Sequence, residues 1–176
     1  MSLGLAAALG LFALTRSSRP PTDPLIKRFH AHDCALQRLN DTASVSLSTT
    51  FRRVHLNGED YLSGNLLLRR PAGRAGTSGD AVTVSDLTGS ALLTFVAPPS
   101  QPLPATLRPG EPQLDVPVLI GSTYRCDDHS RSQSTQTFLL SAYVRLGDDG
   151  AQHRVIVVPD ARVRAQAQAL MDRACR

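Results

Sequence analysis

The feature that most constrains this chain is an apolar period of two. In TFLLSAYVRL, Phe138, Leu140, Ala142, Val144 and Leu146 take alternate positions, and after the turn GDDG comes the apolar segment HRVIVVP. Side chains alternate between the two faces of a strand, so two such runs joined by a short Gly/Asp turn predict a β-hairpin with one buried face. Similar patterns recur upstream. Val45, Leu47 and Phe51 alternate in SVSLSTTF, and Leu62, Leu66 and Leu68 share a face of YLSGNLLLRRP, which stops at Pro71. Between those two runs, LNGED carries an Asn-Gly turn signal. AVTVSDLTGSALLTFVAPP reads as two more strands, around Val82 to Ser85 and Ser90 to Val96, reversing near DLTG. In QLDVPVLIG, Leu114, Val116, Val118 and Ile120 alternate, while Pro117 lacks a ladder donor and favours an edge strand.

Seven short strands separated by turn signals predict a mainly β fold, an antiparallel β-sandwich of immunoglobulin-like kind. The Pro-rich stretch APPSQPLPATLRPGEP suits neither helix nor central strand and is expected to cross from one sheet to the other. At the C-terminus the period changes again. Asp160 is a good N-cap, and Val163, Ala167, Leu170, Met171 and Ala174 fall at helical spacing, predicting an amphipathic helix over 160–175.

The 176 residues suffice for one medium domain, and without Trp and with 5% aromatics the core must be aliphatic. The formal charge is +4, but the basic residues, all Arg except Lys27, are scattered among 15 acidic ones. That balance builds no nucleic-acid patch. Residues 3–14 form an uninterrupted apolar run of 12, followed by Arg16, Arg19 and a Pro pair. The run is shorter than the roughly 20 residues of a membrane span and suits the hydrophobic region of a signal peptide. No Lys or Arg precedes it, which points to a start site further upstream; the alternative is a buried N-terminal helix. The expected organisation is a signal peptide or membrane anchor over 1–20, a linker over 21–40, and a sandwich with its C-terminal helix over 41–176.

Cys34, Cys126 and Cys175 are too far apart for a C-x-x-C motif. In an oxidising compartment two of three are expected to pair. The stretch YRCDDHS gathers Arg125, Cys126, Asp127, Asp128 and His129, yet adjacent side chains converge poorly on a tetrahedral metal ion. A disulfide from Cys126 to Cys175, tethering the C-terminal helix, is the favoured reading. The alternative is a zinc or copper site drawing on His30, His32, Cys34 and His129, because alternate positions in FHAHDC share one face if the segment is extended. Nucleophile and phosphate-loop motifs do not emerge, and His55, His129 and His153 fall in polar turns or strand edges.

The leader, Cys34, VSLSTTF, the RRP stop, the Pro-rich crossing, RCDDH (Arg125 to His129) and the terminal Cys together resemble a loose group of uncharacterised exported, often membrane-anchored proteins of high-GC Gram-positive bacteria. The resemblance implies a signal or anchor and immunoglobulin-like β units, and it leaves a binding role open for Arg125, Asp127 and His129. It implies no activity and no cofactor. The expectation is a non-enzymatic extracytoplasmic envelope protein, membrane-anchored or secreted. It would bind or scaffold, with another envelope protein as partner, the membrane contacted through the N-terminal segment, and no nucleic acid. An extracytoplasmic copper- or zinc-binding protein is the alternative, and a small secreted hydrolase using His129 with Asp127 or Asp128 is the second.

Overall fold

The computed structural model describes residues 34–71, 80–123, 137–148 and 151–173. The chain divides into Met1–Cys34, of which only Cys34 is described, and a compact unit Ala35–Arg176.

Among the described residues nine strands form two antiparallel sheets. In chain order they are β1 (Ser44–Leu47), β2 (Arg52–Leu56), β3 (Glu59–Arg69), β4 (Val82–Thr88), β5 (Leu93–Val96), β6 (Ala105–Leu107), β7 (Gln113–Ser122), β8 (Leu140–Leu146) and β9 (Gln152–Val157). Residues 34–42 form a helix, α1, and Ala161–Arg173 form α2. One sheet runs β1-β3-β7-β5, with β2 also paired to β3; the other runs β6-β4-β8-β9.

Both sheets contribute to one largely aliphatic core that also holds Phe51 and Phe95, as in a β-sandwich. Leu66, Leu68, Val116, Val118 and Ile120 from the first sheet join Val82, Val84, Leu140, Ala142, Val144 and Leu146 from the second. Helix α2 adds Val163, Ala167, Leu170 and Met171. Its cap is the one anticipated: Asp160 Oδ1 accepts from the Val163 amide at 2.8 Å. The hairpin of β8 and β9 is present, with Leu140 opposite Val157 and Arg145 opposite Gln152.

Two strands were not expected. The first arises where β1 and β2 line the same edge of β3. Leu47 pairs with Leu66 and Arg52 with Ser63, so residues 48–51 face only Gly64 and Asn65. The excess bulges out, and Phe51 turns inward to 5% exposure. A Cβ on Gly64 would lie 2.6 Å from the Phe51 ring, so the missing side chain at 64 is what admits that ring. The second is β6, within the Pro-rich stretch. Three residues pair with β4, so this stretch does cross between the sheets, from β5 in one to β6 in the other.

Three boundaries also move. β4 runs on through the DLT of DLTG to Thr88, and β5 lies in the other sheet, so this segment changes sheets as it reverses. β7 lies between β3 and β5, although Pro117 argued for an edge. The conflict is local: β5 reaches only as far as Leu119, and beside Pro117 the strand has β3 alone as a paired neighbour. Finally, the folded unit starts before residue 41. Leu36, Leu39 and Ala43 have helical spacing, and α1 and the residue that follows it bring Leu39 and Ala43 to 1% exposure each.

Arg70, in the RRP stop, is a buried arginine at 8% exposure. Its guanidinium donates to the carbonyls of Glu111 (3.1 Å), Asp80 (2.9 Å) and Arg108 (3.2 Å). A planar fork of donors can close three loop carbonyls at once, and an ammonium could not match that geometry.

Candidate functional site

The two-residue loop Asn57-Gly58 joins β2 to β3. Both residues have positive φ, 54° and 85°, the conformation of a tight primed hairpin turn. That turn fixes the register, with His55 opposite Asp60. On the other side of β3, Tyr61 stands opposite Gly121, which continues to Asp60 beside Ser122. His55, Asp60 and Ser122 therefore form a row across β2, β3 and β7.

Period two puts Asp60 on the face of Leu62, Leu66 and Leu68, and Ser122 on the face of Ile120 and Val118. On β3 and β7 the row thus extends the inner face one pleat beyond Leu62 and Ile120, while on β5 Leu93, opposite Ser122, still belongs to the core. Leu170 and Arg173 of α2 rim it, enclosing a cleft of about 310 Å³.

His55 Nδ1 lies 3.0 Å from Asp60 Oδ1, and Asp60 Oδ2 lies 4.0 Å from an Arg173 guanidinium nitrogen. The side chains of His55 and Asp60 are 67% and 37% exposed, so water screens the pair and it contributes little to stability. At the hairpin, Tyr61 donates its hydroxyl to Glu59 at 2.7 Å. The hydrogen bond to that carboxylate, then burial, then its negative charge, hold the Tyr61 hydroxyl above the usual tyrosine pKa.

The row contains a serine, a histidine and an aspartate, but in an order that does not relay a proton to the serine. A Ser-His-Asp relay needs the imidazole between the other two. Here Asp60 is in the middle, and His55 and Ser122 sit two strand spacings apart, roughly 9–10 Å between backbones. The imidazole nitrogen nearest the row is already engaged by Asp60. The arrangement suits holding a polar ligand by charge and hydrogen bonding rather than activating Ser122.

Of the residues singled out from sequence, His30, His32, Arg125, Cys126, Asp127, His129 and Cys175 lie outside the described residues. Cys34 is exposed and helical, as the first residue of α1. A face shared by His30, His32 and Cys34 through alternation requires extended backbone, and at Cys34 the backbone is helical. Among the described residues no group of three or more His, Cys, Asp or Glu is placed to hold a metal ion. No described helix is long and apolar enough to cross a membrane; the apolar run at 3–14 lies outside the described residues.

His55 and Asp60 were legible in principle. In H-L-N-G-E-D the two-residue turn makes the flanking i and i+5 positions cross-strand partners. Arg173 and Ser122 were not, because only the tertiary packing of α2 brings them to the same cleft. Compared with protein-family models, with curated proteins and with solved structures, the chain matches none.

Proposed function

We propose that this chain is a non-enzymatic, extracytoplasmic binding or scaffolding module of immunoglobulin-like kind, held at or released from the cell envelope through its N-terminal apolar run. The observation that carries the binding part is the cleft at the mouth of the sheet. There an inner face that is largely apolar ends in Asp60, Ser122 and His55, with Arg173 lining the same cleft. A folding core gains nothing from polar side chains on that face, whereas a ligand site needs them.

What supports the immunoglobulin-like part is strand order. With β1 and β2 taken as one interrupted strand, β1/β2, β3, β4, β5, β7, β8 and β9 correspond in chain order to A through G. The sheets then read A-B-E-D and C-F-G. The departure is β6, an additional short strand between D and E that pairs with C. The chain also lacks the Trp that antibody domains carry on strand C.

The bridge from Cys126 to Cys175 belongs to the same proposal. Ser122 precedes Cys126 by four positions and Arg173 precedes Cys175 by two, and Ser122 and Arg173 line one cleft. At about 3.5 Å per extended residue, four and two positions are enough chain to span a cleft of this size. Closing that loop would be worth about 4 kcal/mol in the chain-entropy account. A non-reducing peptide map of the exported protein, with thiols blocked before digestion, tests the compartment. A crosslinked pair of peptides carrying Cys126 and Cys175 is expected; recovery of both as separate, blocked peptides would count against it.

A further inference from the structure

Next to the row lies a second cleft of about 220 Å³, lined by Arg53, Leu62, Gln166, Ala169, Leu170 and Arg173. It shares Leu170 and Arg173 with the first, but none of its described lining residues is acidic. Leu62 and Leu170 are 4% and 6% exposed and give it an apolar floor. The Arg53 guanidinium makes no hydrogen bond or ion pair among the described residues, and that of Arg173 has only its 4.0 Å approach to Asp60. Two guanidinium groups with donors to spare therefore border a small apolar hollow.

Gln166 adds an acceptor. Its Nε2 donates to the Phe51 carbonyl at 3.3 Å. A carbonyl can only accept, so this contact fixes which end of the amide is which. Oε1 is left buried with no hydrogen-bond partner among the described residues. A buried acceptor without a donor calls for one.

From these three features, and resting on the binding reading above, we infer that the cleft takes the free carboxyl end of a peptide chain that finishes in an aliphatic residue. The last residue of such a chain carries a carboxylate, an amide N–H and a side chain on one Cα. The carboxylate meets Arg53 and Arg173 in charge-assisted hydrogen bonds. The N–H supplies the donor that Gln166 Oε1 lacks once rotation of that side chain turns the buried oxygen toward the cleft it lines, and the ligand side chain covers Leu62, Ala169 and Leu170. Inorganic phosphate would satisfy the arginines alone. It has neither an apolar body nor an N–H, so the floor and Gln166 favour the peptide.

The test is calorimetric titration of the full chain with acetyl-Ala-Leu, with its C-terminal amide, and with inorganic phosphate. The free acid is expected to bind saturably, and the amide about tenfold more weakly or less, since it forfeits a charged hydrogen bond. Arg53→Gln and Arg173→Gln should each weaken the acid about tenfold, weaken the amide less, and leave the melting temperature in place, because both side chains are exposed. Equal affinity for acid and amide, or binding of phosphate without binding of the peptide acid, would overturn the inference. If the amide bound and the acid did not, the cleft would still be a binding site and only its ligand class would fall. The envelope location is tested separately by the peptide map.

Discussion

The inner face of β3 and β7 has two ends of opposite character. Toward the core it presents Leu66, Leu68, Val116 and Val118, each at most 2% exposed. One pleat past Leu62 and Ile120, the same face presents Asp60 and Ser122, which are half-buried, with exposed His55 beside them. Both ends have ladder partners: the β3–β7 pairing runs from Arg69 opposite Gln113 to Tyr61 opposite Gly121, and at the mouth Asp60 pairs with His55 of β2 and Ser122 with Leu93 of β5. What changes is the cover. The core end is roofed by the aliphatic face of β4 and β8, and the mouth by the last turns of α2, which bring Leu170 and Arg173. The same strands thus perform two tasks, burial that stabilises at one end and a polar cleft that contributes little stability at the other.

That contrast can be broken by substitution. The largest effect is expected at the core end. Leu66→Ala, at 0% exposure, should lose about 3 kcal/mol in urea unfolding from the lost transfer energy and the cavity left behind. A loss within about 0.5 kcal/mol would mean that the face is not packed as described. Next comes Arg70→Met. It keeps much of the bulk but strips donors from three carbonyls, and a loss of about 2 kcal/mol is expected by the same measurement. The smallest effect is expected at the mouth. Asp60→Asn removes the charge that faces His55 and Arg173, yet both ion pairs are open to water, so stability should stay within about 0.5 kcal/mol. A larger loss would make the mouth a structural element rather than a site.

The same two ends differ in how much of them could be read from sequence. The core end was legible, because alternation depends only on local period: Leu62, Leu66, Leu68, Val116, Val118 and Ile120 were all placed on one face correctly. The β8–β9 hairpin and α2 with its Asp160 cap were legible for the same reason. β6 was missed because three paired residues among prolines leave no periodic signal. The break between β1 and β2 was missed because the bulge at residues 48–51 depends on Gly64, which lies on the neighbouring strand. α1 was absorbed into a linker, although Leu36, Leu39 and Ala43 carried the helical spacing. The mouth was the least legible part. His55 and Asp60 are tied by a turn that could be recognised, but Arg53, Ser122, Gln166 and Arg173 come from three different elements, β2, β7 and α2, and only the docking of α2 brings them near each other.

Native-state hydrogen exchange tests the division of the sheet most directly. The amides of Leu66, Leu68, Val116 and Val118 should exchange only through global unfolding and respond to denaturant as the whole chain does. The amides of His55, Leu56 and Glu59 should exchange through local opening, with much lower protection and almost no denaturant dependence. Uniform protection from one end of β3 to the other would contradict the account, because the mouth would then be as deeply committed to stability as the core.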